Sequence, residues 1–381
     1  MDIAIMLALA ILLLGAKVLG YVFERLKFSS LVGEIIAGII IGPVLGLVVP
    51  SEGIAEFAGL GILFFLFLIG LSTKFEELGE NVYESSIIAL GGALFSFAVG
   101  FLIGWLAFGS VIMGIFLGVA LISTSTAMSV RALVDTGRFH TRAGKTMLGV
   151  ALADDIIALL ALALLTTYMT FGAVKIWEIA TLFFAVMGFM LIILTVGSRV
   201  VGGLLSLFSS IKDEYILVTA SIAILFIIAF VSEHIGIAAV TGAFLAGMAM
   251  SKSSVTETNI IPKVKTIGYG LFIPLFFAYS AISFNIEAFF GYFWLIIALV
   301  ALAVVTKAFG CGHVSGLFGF RGVEKRVIGF GMIPRGEYSI IAAQLELTAG
   351  IIAAPIYTVV LSFVIITIMV TPILIRVFAK D

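Results

Sequence analysis

Charge is what this sequence has least of. Only 11% of its 381 residues are Asp, Glu, Lys or Arg, while 62% are hydrophobic; a soluble domain averages about 25% charged residues. So few charges cannot clothe a water-facing surface, so most of the surface must face lipid. The charges that remain nearly cancel, to a formal net of −1, which excludes the basic footprint of a nucleic-acid-binding protein. A single cysteine, Cys311, excludes an internal disulfide framework and a cysteine-rich metal site. Three scattered histidines exclude a histidine-based metal centre. No Gly-x-x-x-x-Gly-Lys-Ser/Thr run is present, which argues against a P-loop nucleotide site. Met1-Asp2-Ile3 lacks a basic n-region, and no small-residue cleavage site follows it. The first apolar run therefore reads as a membrane span rather than a leader peptide. No soluble domain is expected beyond the last apolar run.

What is there in quantity is apolar sequence in span-length runs. A bilayer-crossing helix needs about 20 mostly apolar residues. Thirteen such runs are expected, near 3–22, 31–49, 54–72, 86–107, 110–129, 143–168, 177–200, 215–232, 235–250, 266–284, 290–312, 327–347 and 355–377. They must be helices, because irregular lipid-facing backbone leaves polar groups unpaired. With the N-terminus outside and the C-terminus inside, eighteen of the 21 Lys and Arg fall in inner loops and helix ends, Lys74, Arg142, Lys265, Arg321, Lys325 and Arg326 among them. Only Lys175 falls outside, while Lys307 and Arg335 lie within spans. That asymmetry follows the positive-inside rule and sets the orientation expected in a cell membrane.

The chain also resembles itself. Shifted by 209 residues, Gly33, Ala37 and Gly38 fall on Gly242, Ala246 and Gly247, and Gly59, Gly61, Leu66 and Phe67 fall on Gly268, Gly270, Leu275 and Phe276. The paired spans are an odd number apart, so the two copies face opposite ways across the membrane, the ground plan of many secondary transporters. The first repeat is expected over residues 1–170 and the second over 215–381, with 177–200 as a linker helix. Chance recurrence of small residues at helix contacts is the competing explanation.

Charges inside spans carry the most information, since each costs about 2.5–3.5 kcal/mol at a helix centre. Asp154 and Asp155 sit about 16 Å into the sixth span at 1.5 Å per residue. Neighbouring residues on a helix point about 100° apart, so the two carboxylates can serve different partners. Two close carboxylates in low dielectric resist losing both protons together, so such a pair binds either protons or a small cation. Lys307, in the eleventh span, has no acid within its own helix. Asp154 or Asp155 is the natural partner, and snorkelling to the inner surface is the alternative.

Two spans look broken at comparable depth. Pro334-Arg335-Gly336-Glu337 interrupts the twelfth, because Pro removes a backbone donor and Gly loosens the chain. Ser123-Thr124-Ser125-Thr126 marks the fifth, where hydroxyls can satisfy freed carbonyls or ligate a cation. Interrupted spans at matching places in two inverted halves point to a transport site. Ordinary interhelix hydrogen bonding by the hydroxyls, and an Arg335–Glu337 pair that only stitches the break, are the structural alternatives. Glu34, one turn inside the second span, is a candidate for lining an aqueous funnel or for reaching headgroups. Glu346 is expected to reach headgroups, and His140 to be a solvated loop residue.

Taken in order, Gly33-Glu34-Ile35-Ile36-Ala37-Gly38, Gly42-Pro43, Phe67-Leu68-Ile69-Gly70-Leu71, Ser123 to Ala127, Asp154-Asp155, Lys307 and Arg335-Gly336-Glu337 resemble the monovalent cation:proton antiporter superfamily, in its bacterial and archaeal sodium/proton and potassium/proton branch. The resemblance runs along nearly the whole chain. It implies an all-α integral membrane fold of thirteen helices in two inverted six-helix repeats, with a dimerisation domain, a six-helix core domain and two discontinuous helices crossing near the midplane. It also implies that Asp155 binds the cation, that Asp154 pairs with Lys307, and that a homodimer forms through the first and eighth spans. Adjacent Asp-Asp with that lysine implies electrogenic exchange. With no nucleotide-binding tail after the last span, the resemblance favours sodium over potassium.

The reading that follows is a secondary antiporter, not an enzyme, that exchanges Na+ or Li+ for protons by alternating access. Its partners are the bilayer and a second copy of itself, and it needs no cofactor or nucleotide. Na+ would sit at Asp155 with oxygen from Thr124, Ser125 or Thr126. The alternatives are a K+/H+ antiporter of the same fold, a cation channel or a Na+-coupled symporter. A membrane hydrolase would want its two aspartates on different helices, and here they are consecutive.

Overall fold

A computed structural model describes residues 3–73, 82–135, 138, 141–171, 176–209, 211, 215–235, 237–251, 256 and 260–378. Among them there are helices and connections but no strand. In chain order they are α1 (Ile3–Arg25), α2 (Ser30–Ile39), α3 (Glu52–Ser72), α4 (Val82–Phe108), α5 (Val111–Ile122), α6 (Thr126–Asp135), α7 (Arg142–Phe171), α8 (Ile176–Ile192), α9 (Ser198–Ser209), α10 (Ile216–His234), α11 (Ala239–Ser251), α12 (Ile261–Ile267), α13 (Ile273–Ile282), α14 (Ile286–Gly291), α15 (Phe293–Ser315), α16 (Val323–Gly331), α17 (Glu337–Thr348) and α18 (Ala354–Phe378). Single π turns, Ile40–Val44, Ile193–Gly197 and Gly268–Phe272, extend α2, join α8 to α9 and join α12 to α13. Among the described residues nine helical stretches are long and apolar enough to cross a bilayer, and 30–44, 111–122 and 239–251 form shorter apolar helices. Lys74 and His140 lie outside the described residues.

The chain divides into two compact units. The first takes residues 1–22, 33–75 and 166–283; the second takes 23–32, 76–165 and 284–381. In lipid, helix association rests on close van der Waals packing rather than on expulsion of water, so small residues let backbones approach. In the first unit, Gly70 of α3 lies against the backbone of Phe244 and Gly247 on α11, and Gly247 lies against Phe67. Gly38 of α2 meets the Ala278 carbonyl of α13. Aromatic rings fill what the glycines leave: Phe64 stacks on Phe272 at 4.8 Å and Phe65 meets Phe277 edge-on at 5.5 Å. Leu12, Ala16, Ala37, Ile41 and Leu275 share this unit's core.

The second unit holds α4 to α6, α7 as far as Leu165, and α14 to α18, packed around Ile88, Met147, Val150, Cys311, Val327, Ile328 and Met332. Gly100 and Gly104 of α4 admit the backbone of α5, and Gly310 of α15 comes within 2.8 Å (measured from an ideal Cβ) of the Gly92 Cα. Two interruptions fall inside this unit. After Ile122 the chain turns extended at Ser123 (φ −66°, ψ 144°) and helix resumes at Thr126. After Gly331 it stays non-helical until Gly336 (φ −116°, ψ −167°), the N-cap of α17. Pro334 enforces the second break, since the residue before a proline is pushed out of the α region. The first break contains no proline, and its hydroxyl side chains turn to other elements: Ser123 to Ser339, Thr124 to Met332 and Thr126 to Asp155.

Candidate functional site

The two interruptions meet. The Ser125 amide donates to the Pro334 carbonyl at 2.7 Å, and the Thr124 hydroxyl donates to the Met332 carbonyl at 3.1 Å. Ser129, one turn into α6, donates to the carbonyls of Gly331 at 2.6 Å and Ser125 at 3.0 Å. The Ser123 and Ser339 hydroxyls lie 2.8 Å apart, and Ser339 also donates to the Ala120 carbonyl at 2.7 Å. Each break frees carbonyls that lipid could not solvate, and the hydroxyls of the other interrupted segment take them up. A side chain at Gly336 would put its Cβ 3.0 Å from Cα and N of Ser125, so the crossing needs glycine there for space rather than for a left-handed φ.

Arg335 is fully buried and acts on the same break. Its Nη1 donates to the carbonyls of Ile122 and Ser123 at 3.5 and 3.4 Å, where α5 ends. Its Nη2 donates to the Ala303 carbonyl at 3.0 Å and the Thr306 hydroxyl at 3.2 Å, both on α15. A guanidinium at a helix C-terminus answers both the orphan carbonyls and the negative end of the helix dipole. Arg335 is therefore not paired with Glu337, as the stitching alternative had it.

The carboxylates come from α7, whose middle passes this crossing. Lys307 Nζ lies 2.6 Å from Asp154 Oδ1, and both side chains are wholly buried. Lys307 does not snorkel. Gly92 makes room for its stem: a Cβ there would lie 3.4 Å from the Lys307 Cδ and would overlap the Cys311 sulfur. Asp155, 7% exposed, faces elsewhere, as the 100° offset requires, and accepts from the Thr126 hydroxyl at 2.9 Å through Oδ2. Asp154 Oδ2 and Asp155 Oδ1 accept no hydrogen bond from the described residues. Thr126 opens α6 and Glu337 opens α17, so a carboxylate stands at the N-terminus of each half-helix, where the dipole favours negative charge. Glu337 is buried at 8% exposure and interacts electrostatically with Asp155. The arrangement offers two carboxylate oxygens without donors and a buried ammonium. Such a site can hold one small cation or protons.

Ser123, Thr124, Ser125, Thr126, Asp154, Asp155, Lys307, Arg335 and Glu337 thus all lie in the second unit. Glu34 lies in the first, in α2, buried, with its carboxylate 3.8 Å from Lys17 Nζ. Sequence reasoning missed Ser129, Ser339, Thr306 and Tyr338. Tyr338 is buried beside the carboxylates, and its hydroxyl has no partner among the described residues. Its place next to Glu337 was the available signal. Glu346 corrects an expectation: it is 2% exposed in α17 rather than extended toward headgroups, because α17 turns that face into the packed unit.

A buried carboxylate pair at two crossing half-helices can be compared with known proteins. The family model described as sodium/hydrogen exchanger, transmembrane, matches residues 9–380. The chain belongs to the sodium/hydrogen exchanger family. This exchanger is 33% identical to the Na(+)/H(+)-K(+) antiporter GerN of Bacillus cereus, over 98% of its own chain and 95% of the relative. It is 26% identical to the Na(+)/H(+) antiporter of Enterococcus hirae, over 98% and 97%. Among solved structures, the sodium proton antiporter MjNhaP1 from Methanocaldococcus jannaschii matches with a TM-score of 0.67 at 17% identity, covering 99% of this exchanger and 98% of that chain, a likeness of fold. The exchanger is a multi-pass membrane transporter and not an enzyme.

Proposed function

We propose that Asp155 is the cation site of a Na+/H+ antiporter and that Asp154 and Lys307 couple it to protons. The observation that carries this reading is the buried Lys307–Asp154 pair beside an Asp155 whose carboxylate, among the described residues, is held by one hydroxyl. Na+ competes with the proton at Asp155, taking its free oxygen together with hydroxyl or carbonyl oxygen from Thr124, Ser125 or Thr126. Charge arriving there weakens the neighbouring ion pair, because the two aspartates share one low-dielectric pocket. Access alternates between the two membrane faces, and the second unit carries the site. The proton gradient drives the cycle, with net charge moved in each turn. In proteoliposomes, a Na+-induced pH change is expected in the native exchanger and its absence in Asp155→Asn; full exchange in that variant would overturn the assignment.

Thirteen crossings follow if α5–α6 and α16–α17 each count as one interrupted span and 30–44 and 239–251 as short ones. An inverted repeat is supported by packing that repeats with the sequence: Gly33 meets the Leu19 carbonyl and Gly242 meets the Ile228 carbonyl, the same contact 209 residues on. Residues 1–170 and 215–381 are the proposed repeats and 177–200 the linker, and both compact units draw on both repeats. A homodimer, an outer N-terminus with an inner C-terminus, and a funnel role for Glu34 complete the proposal. K+ as a second cargo is suggested by the Bacillus cereus relative, a Na(+)/H(+)-K(+) antiporter; exchange measured with Na+, Li+ and K+ over a pH series decides it.

A further inference from the structure

A groove of about 320 Å³ opens in the second unit between α15, α16 and the end of α18, and the transport reading makes no use of it. Its walls are aromatic. Phe330 stacks on Phe378 with centroids 5.3 Å apart and planes 16° apart, and Phe309 stacks on His313 at 5.9 Å. Its polar groups are three bases: His313, Lys325 and Arg326. They gather at one end. On α15, His313 lies one turn beyond Phe309 toward the connection to α16, and on α16 Lys325 and Arg326 lie one turn before Phe330. The groove is therefore cationic at the loop end and aromatic a turn deeper. Among the described residues none of the three basic side chains has an ion pair or hydrogen bond, and Glu324 does not line the groove.

A pocket for a soluble metabolite places several polar groups around the ligand to fix its orientation. Here the polarity is one-sided and of one sign, on a protein whose surroundings are lipid. Basic pockets between transmembrane helices suit anionic headgroups. We propose that this groove binds an anionic phospholipid, with its phosphate between Lys325 and Arg326 and an acyl chain along Phe309, Phe330 and Phe378. The Lys325 ammonium lies over Gly316, at the loop end of the groove just beyond α15. The site does not depend on the exchange chemistry, though Ala308 on its wall follows Lys307 directly.

The test uses the full-length exchanger in detergent, titrated with phosphatidylglycerol, chain-matched phosphatidylcholine or glycerol 3-phosphate and read by native mass spectrometry. Phosphatidylglycerol is expected to be retained several-fold better than phosphatidylcholine, and glycerol 3-phosphate not to compete. K325Q/R326Q is expected to lose about thirty-fold in phosphatidylglycerol retention, given about 1 kcal/mol for each basic residue near an anionic headgroup. K263Q/K265Q, which removes two charges from α12, should retain as the native protein does. R326Q and F309S, both at exposed side chains, give independent readings of the phosphate and acyl arms should the double variant not fold. Undiminished retention in the groove variants overturns the proposal. So does equal retention of phosphatidylcholine, and competition by glycerol 3-phosphate would make this a soluble-anion site instead.

Discussion

The Lys307–Asp154 pair lends itself to a double-mutant cycle. Both side chains are fully buried and the contact is 2.6 Å. Lys307→Met would leave Asp154 with no partner on either oxygen, since Oδ2 already accepts no hydrogen bond from the described residues. Asp154→Asn would leave an ammonium buried beside a neutral amide. Removing one partner of a buried pair costs about 3–5 kcal/mol. The double variant retains no charge, only an amide short of partners, at about 1–3 kcal/mol. The two singles therefore sum to well above the double, and the coupling energy should be about 3 kcal/mol or more. A domain of 150–250 residues shifts its midpoint by about 2–4 °C per kcal/mol and a longer chain by less, so each single should fall by roughly 5 °C and the double by about half that. Thermal midpoints in one detergent at one scan rate are the assay, because unfolding of such proteins is commonly irreversible. A double variant that falls as far as the two singles combined would refute the pairing.

Thr126→Val removes the hydrogen bond that the Asp155 carboxylate accepts among the described residues, at 2.9 Å; the Na+ concentration for half-maximal exchange should rise about ten-fold or more, since hydrogen bonds to charged groups are worth about 1.5–3 kcal/mol, while Thr126→Ser should restore it. Gly336→Ala places a methyl 3.0 Å from the Ser125 backbone, and an overpacking cost of about 1–3 kcal/mol should lower both thermal midpoint and exchange rate. Arg335→Met strips the end of α5 and two acceptors on α15 of their donor; a stability loss of about 3 kcal/mol is expected from orphaned buried acceptors. Arg335→Lys should recover only part of it, because an ammonium lacks the fork, as thermal midpoints will report.

Much of the fold was legible because lipid imposes a simple code. Every expected apolar run overlaps a described helix or helix pair, from 54–72 against α3 to 355–377 against α18, and among the described residues nine helical stretches are long and apolar enough to cross a bilayer. The breaks were legible from Pro334 and from the hydroxyl run, and the structure interrupts the fifth span at Ser123–Ser125, within that run. Glu346 and Tyr338 were misjudged or missed because burial of a single residue on a half-helix depends on what packs against it. Local pattern carries no record of that.

The sequence alone determined that this chain lives in a bilayer, which residues pay to be buried there and which helices are interrupted, because hydrophobic length and intramembrane charge are properties of short segments. Only the tertiary structure decided which aspartate takes Lys307, that Arg335 caps α5 instead of joining Glu337, and that Ser125 meets Pro334. Those are contacts between residues more than 150 positions apart, and distance along the chain leaves them unspecified until helices pack.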